Sequence, residues 1–137
     1  MILDYSYQEI EQLFSSEKSV SDARISSISF DSRRIINGNH VLFFALEGIF
    51  RNGHSFLIEA YEKGVRHFVV SKKGTTSDLE NAHEIVVNNS LDALEQLAFF
   101  HRNQFTIPIV AITGSNGKTT VKEWLSYVLS GTHNVAR

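Results

Sequence analysis

The stretch that most constrains this chain is Thr113-Gly-Ser-Asn-Gly-Lys-Thr-Thr120, set between the apolar run Ile109-Val-Ala-Ile112 and a segment where Val121, Trp124, Leu125, Val128 and Leu129 recur at helical spacing up to Gly131. A glycine loop that leaves a buried strand and opens a helix is the context of a phosphate-binding loop, and it predicts an α/β fold. Gly114 and Gly117 let the backbone turn and approach oxygen atoms closely, while successive N–H groups and the helix N-terminus favour negative charge. Ser115, Asn116 and Thr120 complete the loop. Lys118 is the candidate catalytic residue, reaching the β- and γ-phosphates, and the Thr119 hydroxyl is the candidate ligand for Mg²⁺. ATP is the expected nucleotide. The pattern departs from the eight-residue Walker form, because Ile112 stands where its first glycine belongs. A plain glycine turn with a solvated Lys118 would explain one glycine, but not Gly-x-x-Gly-Lys-Thr between a strand and a helix.

Upstream, strand and helix patterns alternate. Ser6-Tyr-Gln-Glu9 reads as a capping box, followed by Ile10, Leu13 and Phe14 at helical spacing. Ile28 and Phe30 alternate with serines as in a half-buried strand, Asn37-Gly-Asn39 marks a turn, and Val41-Leu-Phe-Phe-Ala-Leu46 suits a buried strand. Ser55 to Lys63 predicts a helix with Phe56, Leu57, Ala60 and Tyr61 on one face, stopped by Gly64. His67-Phe-Val-Val70 and Ile85-Val-Val87 predict strands around a polar loop from Ser71 to Asp78, in which Lys72-Lys73 reads as a solvated charge pair. Ser90 is placed as the cap of a helix to about Gln104, its apolar face being Leu91, Leu94, Leu97, Ala98 and His101. That stripe, with Phe43, Phe44 and Trp124, is read as core. Phe105-Thr-Ile-Pro108 is the best boundary candidate.

Composition narrows the partners. A net charge of -2, with no basic stripe, argues against nucleic acid. No run of apolar residues is long enough for a membrane span, and the opening residues lack a signal-peptide pattern, so a cytoplasmic chain with no membrane partner is the expectation. Cysteine is absent and the six histidines are scattered, which argues against disulfides and a histidine metal site. The Asn88-Asn-Ser90 glycosylation pattern would have no meaning in that compartment.

Ile-Thr-Gly-Ser-Asn-Gly-Lys-Thr-Thr, residues 112–120, resembles the shortened phosphate loop of the Mur ligases of bacterial cell-wall synthesis and of their relative folylpolyglutamate synthase. The missing first glycine is normal there. Phe30-Asp-Ser-Arg33, Leu42-Phe-Phe-Ala-Leu-Glu-Gly48 and Asn52-Gly-His-Ser-Phe56 look like the uridine-nucleotide-binding domain of the Mur ligases, which folylpolyglutamate synthase would not explain. Ser115 and Lys122-Glu123 look more like the D-alanyl-D-alanine-adding branch than the preceding amino-acid-adding branch. The resemblance implies a uridine-nucleotide-binding domain over residues 1–106, then the first strand, loop and helix of a central ATP-binding domain over 107–137. It implies UDP-N-acetylmuramoyl-tripeptide and D-alanyl-D-alanine as substrates, joined by way of an acyl phosphate. The amine-binding domain and further metal ligands would lie beyond Arg137, so an N-terminal fragment inactive by itself is expected. Phe100 to Pro108 and Val121 to Leu125 also resemble a version of this ligase fused to alanine racemase, whose pyridoxal phosphate would belong to that missing part.

The same resemblance nominates a uridine-diphosphate pocket made of Asp31, Ser32 and Arg33 together with Gly48, Asn52, Gly53 and His54. A hydroxyl and a guanidinium suit uracil and phosphate oxygens. Local hydrogen bonding at a strand end is the structural alternative for Asp31, and an ordinary exposed loop is the alternative for Gly48 to His54. The family usually carries aspartate where Asn52 stands. A non-catalytic uridine-nucleotide-binding module remains the alternative of a different class.

Overall fold

The computed structural model describes residues 4–15, 21–48 and 52–136. They divide into two units, Met1–Gln104 and Phe105–Arg137.

The first unit is built on a four-stranded parallel sheet in chain order: β3 (Ser27–Ser29), β4 (Val41–Phe44), β5 (His67–Val70) and β6 (His83–Val86). A two-stranded antiparallel ribbon, β1 (Tyr5–Ser6) with β2 (Arg24–Ile25), precedes it. Leu42 pairs with His67, Phe43 with Phe68 and Phe44 with Val69, and Val69 pairs in turn with Ile85. Successive side chains of a strand point to opposite faces, so two cores form. Leu42, Phe44, Val69 and Ile85 pack with Tyr7 and Ile10 of α1 (Tyr7–Phe14) and with Ala93 and Leu97 of α3 (Ser90–Asn103). Val41, Phe43, Phe68 and Val70 pack on the other face with Leu57 and Ala60 of α2 (Leu57–Glu62). A parallel sheet covered on both faces is what uninterrupted apolar strands require.

Caps fix the helices. The Ser6 N–H donates to Glu9 Oε2 (2.7 Å) and the Glu9 N–H donates to Ser6 Oγ (3.2 Å), the reciprocal pair expected for α1. At α3 the cap is Asn89 rather than Ser90: its Oδ1 accepts from the Leu91 and Asp92 N–H groups, which leaves Ser90 as the buried first helical residue. The buried face of α3 is correspondingly shifted. Ser90, Ala93 and Leu97 point inward, while Leu91 and Ala98 face solvent. The predicted helix from Ser55 is split, with a 3₁₀ turn over Gly53–Phe56 before α2, and Gly64 (φ +97°) follows its end. Phe30 lies past the end of β3 and is exposed, because no fourth pairing extends the strand that far.

The second unit contains α4 (Lys118–Leu129), preceded by the glycine loop. The strand expected over Ile109–Ile112 does not form. A parallel strand exists only through its neighbours' ladder, and no described strand pairs with this run. Ile109, Val110, Val121, Trp124 and Val128 are all exposed, so Trp124 is not core in this chain. An apolar helix face without cover is the consequence.

His67 lies in the first core, its ring 4.7 Å from Tyr7 and stacked on His83 at 5.4 Å, with Nε2 at 3.0 Å from Ser21 Oγ. Burial, then the neighbouring His83 and His40, lowers its pKa from 6.5 to about 4. A histidine held neutral by the fold binds fewer protons than the same histidine in the unfolded chain. Its contribution is therefore complete above pH 6.5 and is lost as pH falls toward 4. Urea unfolding across that window should show a loss of up to ~3 kcal/mol, reduced in His67→Gln.

Candidate functional site

The carboxyl ends of parallel strands are where α/β sheets hold ligands, since loops converge there on a rigid frame. In this sheet β3 runs out into Asp31–Arg34, β4 into Glu47–Gly48 and β5 into Ser71–Lys72.

The first loop is a 3₁₀ turn over Ser32–Arg34 with Asp31 as its cap. Asp31 accepts from the Arg33 N–H (3.1 Å) and Nε (2.9 Å) through Oδ1, and from Nη2 (2.9 Å) through Oδ2. The Arg33 fork holds this carboxyl down to about 2. Asp31 is thus ionised and largely occupied by Arg33, whose guanidinium is otherwise exposed. Ser32 is different: only 2% of it is accessible, and its hydroxyl donates to Glu59 Oε2 at 2.8 Å. Lys63 donates to Glu59 Oε1 (3.0 Å) and to the Ser32 carbonyl (2.7 Å). These two bonds to Glu59, from Lys63 and Ser32, lower its pKa. An open depression of about 340 Å³ beside β3 is lined by Ile28, Phe30, Asp31, Arg34, Ile35 and Ile36.

The second loop returns to the sheet at Gly53, whose N–H donates to the Leu46 carbonyl at 2.7 Å. A β-carbon at Gly53 would lie 2.5 Å from the Leu46 nitrogen, so only glycine allows this approach. Asn52 Oδ1 accepts from the His54 N–H and stands 2.9 Å from His54 Nδ1. The Ser71 N–H donates to His54 Nε2 at 3.2 Å. The imidazole therefore carries its proton on Nδ1, and burial lowers its pKa despite the opposing pull of Glu47. Glu47 sits 3.4 Å from both His54 Nδ1 and Lys72 Nζ, so Lys72 is paired rather than simply solvated. Gly48 is exposed beside Glu47.

The nominated residues thus occupy two loops at the same edge of adjacent strands. Glu59, Lys63, Ser71 and Lys72 were not anticipated. The Glu59–Lys63 spacing of four is a readable helix pair. Its grip on Ser32, 27 positions away, has no local signature.

In the second unit, Gly117 (φ +76°) heads α4 without a side-chain cap, and Gly114 has φ +151°. The first-turn amides thus lack a side-chain acceptor, and Ser115, Asn116, Lys118, Thr119 and Thr120 are all exposed. Lys118 Nζ donates to the Gly114 carbonyl, spanning the loop where a phosphate would lie. These groups fit a polyphosphate: a left-handed glycine, an uncapped helix start, a cation and a hydroxyl. Among the described residues no group of three or more His, Asp or Glu could hold a metal by itself. Among the described residues no helix is long and apolar enough to cross a membrane.

No family model matches the chain. Among curated proteins, the UDP-N-acetylmuramoyl-tripeptide–D-alanyl-D-alanine ligase of Synechocystis is 40% identical over 83% of this chain and 24% of its own length. A UDP-N-acetylmuramoyl-L-alanyl-D-glutamate–2,6-diaminopimelate ligase from Cytophaga hutchinsonii is 31% identical over 73% of the chain and 21% of its own length. Among solved structures, the D-alanyl-D-alanyl ligase of Acinetobacter baumannii superposes with a TM-score of 0.80 and 27% identity, covering 96% of this chain and 29% of that one. MurF ligase from Thermotoga maritima, solved with ADP, gives 0.65 and 29% identity over 80% of this chain and 24% of that one. The chain spans about a quarter of the length of the curated relatives it matches.

The close approach at Gly53 gives a direct expectation. Gly53→Ala should force the Asn52–His54 loop off Leu46 and cost ~1–3 kcal/mol, read from the denaturant midpoint.

Proposed function

We propose that this chain, a homologue of the N-terminal quarter of MurF-type Mur ligases, supplies the uridine-nucleotide-binding domain and the phosphate loop of an ATP-dependent amide-forming ligase. The carrying observation is the 40% identity to a D-alanyl-D-alanine-adding ligase over 83% of the chain. Residues 1–106 form the nucleotide domain, and residues 107–137 begin the ATP-binding domain. The lower identity to the diaminopimelate-adding relative favours the D-alanyl-D-alanine reaction.

In this reading the uridine diphosphate of UDP-N-acetylmuramoyl-tripeptide lies at the edge formed by Asp31–Arg33, Gly48 and Asn52–His54. The Arg33 guanidinium faces phosphate oxygens, Asp31 orients it, and Asn52 and His54 fix the second loop. Ser32 serves from within the turn. At the other unit, Gly114–Thr120 wraps the ATP phosphates, Lys118 exchanges the Gly114 carbonyl for phosphate oxygen, and Thr119 offers a hydroxyl to Mg²⁺. The metal, when bound, neutralises charge on the phosphates. The terminal carboxylate of the tripeptide attacks the γ-phosphate and ADP leaves. The D-alanyl-D-alanine amine then attacks the acyl phosphate, phosphate departs and an amide remains. The work is positioning and charge neutralisation in the cytoplasm, during peptidoglycan synthesis.

A ligand that binds only the folded state must stabilise it. Saturating UDP-N-acetylmuramoyl-tripeptide, at about 100 times its Kd, should add ~2.7 kcal/mol to unfolding and raise Tm by several degrees. An unchanged Tm in a folded sample would overturn the uridine-site assignment. With ATP, Mg²⁺ and both substrates, the 137-residue chain by itself should release no phosphate, since its loop is exposed and α4 uncovered. Turnover that vanished in Lys118→Ala would show that these residues suffice.

A further inference from the structure

We infer that Glu59 and Lys63, on and just after α2, are positioning residues for uridine-nucleotide binding: together they clamp Ser32 and so hold the Asp31–Arg33 turn in its binding shape. The inference rests on the uridine-site reading and deepens it.

Three observations carry it. Ser32 is buried and spends its hydroxyl hydrogen on Glu59 Oε2, so it does not present a free hydroxyl to a ligand. Lys63 takes the Ser32 carbonyl at 2.7 Å and Glu59 Oε1 at 3.0 Å, closing a ring of contacts around one residue of the turn. The neighbour of that residue, Arg33, is the exposed cation available to a phosphate, and its fork is already oriented by Asp31. A 3₁₀ turn of three residues is short, closed by two backbone bonds, Arg34 N–H to the Asp31 carbonyl and Ile35 N–H to the Ser32 carbonyl, beside the Asp31 cap. Anchoring Ser32 at two atoms to a helix packed on the sheet removes freedom that a ligand would otherwise have to freeze out.

Charge makes the idea decidable. The cluster holds Arg33, Arg34 and Lys63 against Asp31 and Glu59, three cations to two carboxylates. Neutralising Glu59 leaves a more positive site, so by long-range charge alone an anionic nucleotide should bind more tightly. Positioning predicts the opposite sign.

The test is calorimetric titration of the 137-residue chain with UDP. Glu59→Ala and Lys63→Met should each weaken UDP ~10-fold. Glu59→Gln, which keeps one carbonyl oxygen as acceptor, should fall between Glu59→Ala and wild type. Leu94→Ala, destabilising on the opposite face of the sheet, should leave affinity unchanged, separating positioning from general stability. Hydrogen exchange without ligand gives a second readout: protection of the Arg34 and Ile35 amides should drop in Glu59→Ala and in Ser32→Ala, which serves if Glu59→Ala fails to fold. Wild-type affinity or tighter binding in Glu59→Ala, whatever Lys63→Met does, would overturn the clamp while leaving the uridine site standing. Absence of UDP binding in wild type, with the exchange effect intact, would instead overturn the site and with it the clamp's role in binding.

Discussion

The ladder between β4 and β5 is what the rest of the first unit depends on. Both strands have neighbours on each side and side chains buried on each face, so Leu42 and Phe44 form one core while Phe43 and Ala45 form the other. Because pairing fixes the register, it also fixes which residues emerge at the carboxyl edge. The Ala45 N–H still donates to the Val69 carbonyl beyond the last full pair, and Glu47 meets Asn52 one step later. The loops that carry charge begin where that ladder stops. The site is therefore a consequence of the packing: an apolar slab that ends in a row of polar turns.

Much of this was legible in the sequence. The Ser6–Glu9 capping box, the runs at Val41 and His67, and the stop at Gly64 each have a local cause, and each appears where local chemistry puts it. Sequence pattern and structure differ where the deciding partner is remote or close in rank. Asn89 and Ser90 both make good caps, and with Ser90 buried the earlier one takes the role. The strand at Ile109–Ile112 has the right composition but no ladder to join. At the candidate site, the strand-end positions of Asp31–Arg33 and of the Asn52–His54 loop were readable. The clamp of Ser32 by Glu59 and Lys63 was not, because it is made across 27 and 31 positions by a helix face that periodicity marks only as polar.

The two units differ in how far they are prepared for a ligand. In the first, His54 is tied to Asn52 and to the Ser71 N–H, and Arg33 is forked to Asp31. On the proposed reading, a ligand there would have little left to order. In the second, the glycine loop has the required groups, yet its residues are exposed and Lys118 rests on the Gly114 carbonyl. Electrostatic stabilisation of a transferring phosphoryl group needs fixed donors in a water-poor site. Under the proposed function, nucleotide recognition and phosphoryl transfer thus stand at different stages in this chain, the first with its groups already oriented and the second supplied only with its primary contacts.

The most direct test of that account is a residue-resolved map: ¹H–¹⁵N correlation spectra of the labelled chain titrated with UDP. The account predicts that shifts concentrate in Ser29–Arg34, Glu47–Gly48, Asn52–His54 and Ser71–Lys72, with Phe105 onward little changed. Shifts confined to the depression lined by Phe14, Val87, Asn89, Asp92 and Phe99, or the absence of any saturable change, would contradict it.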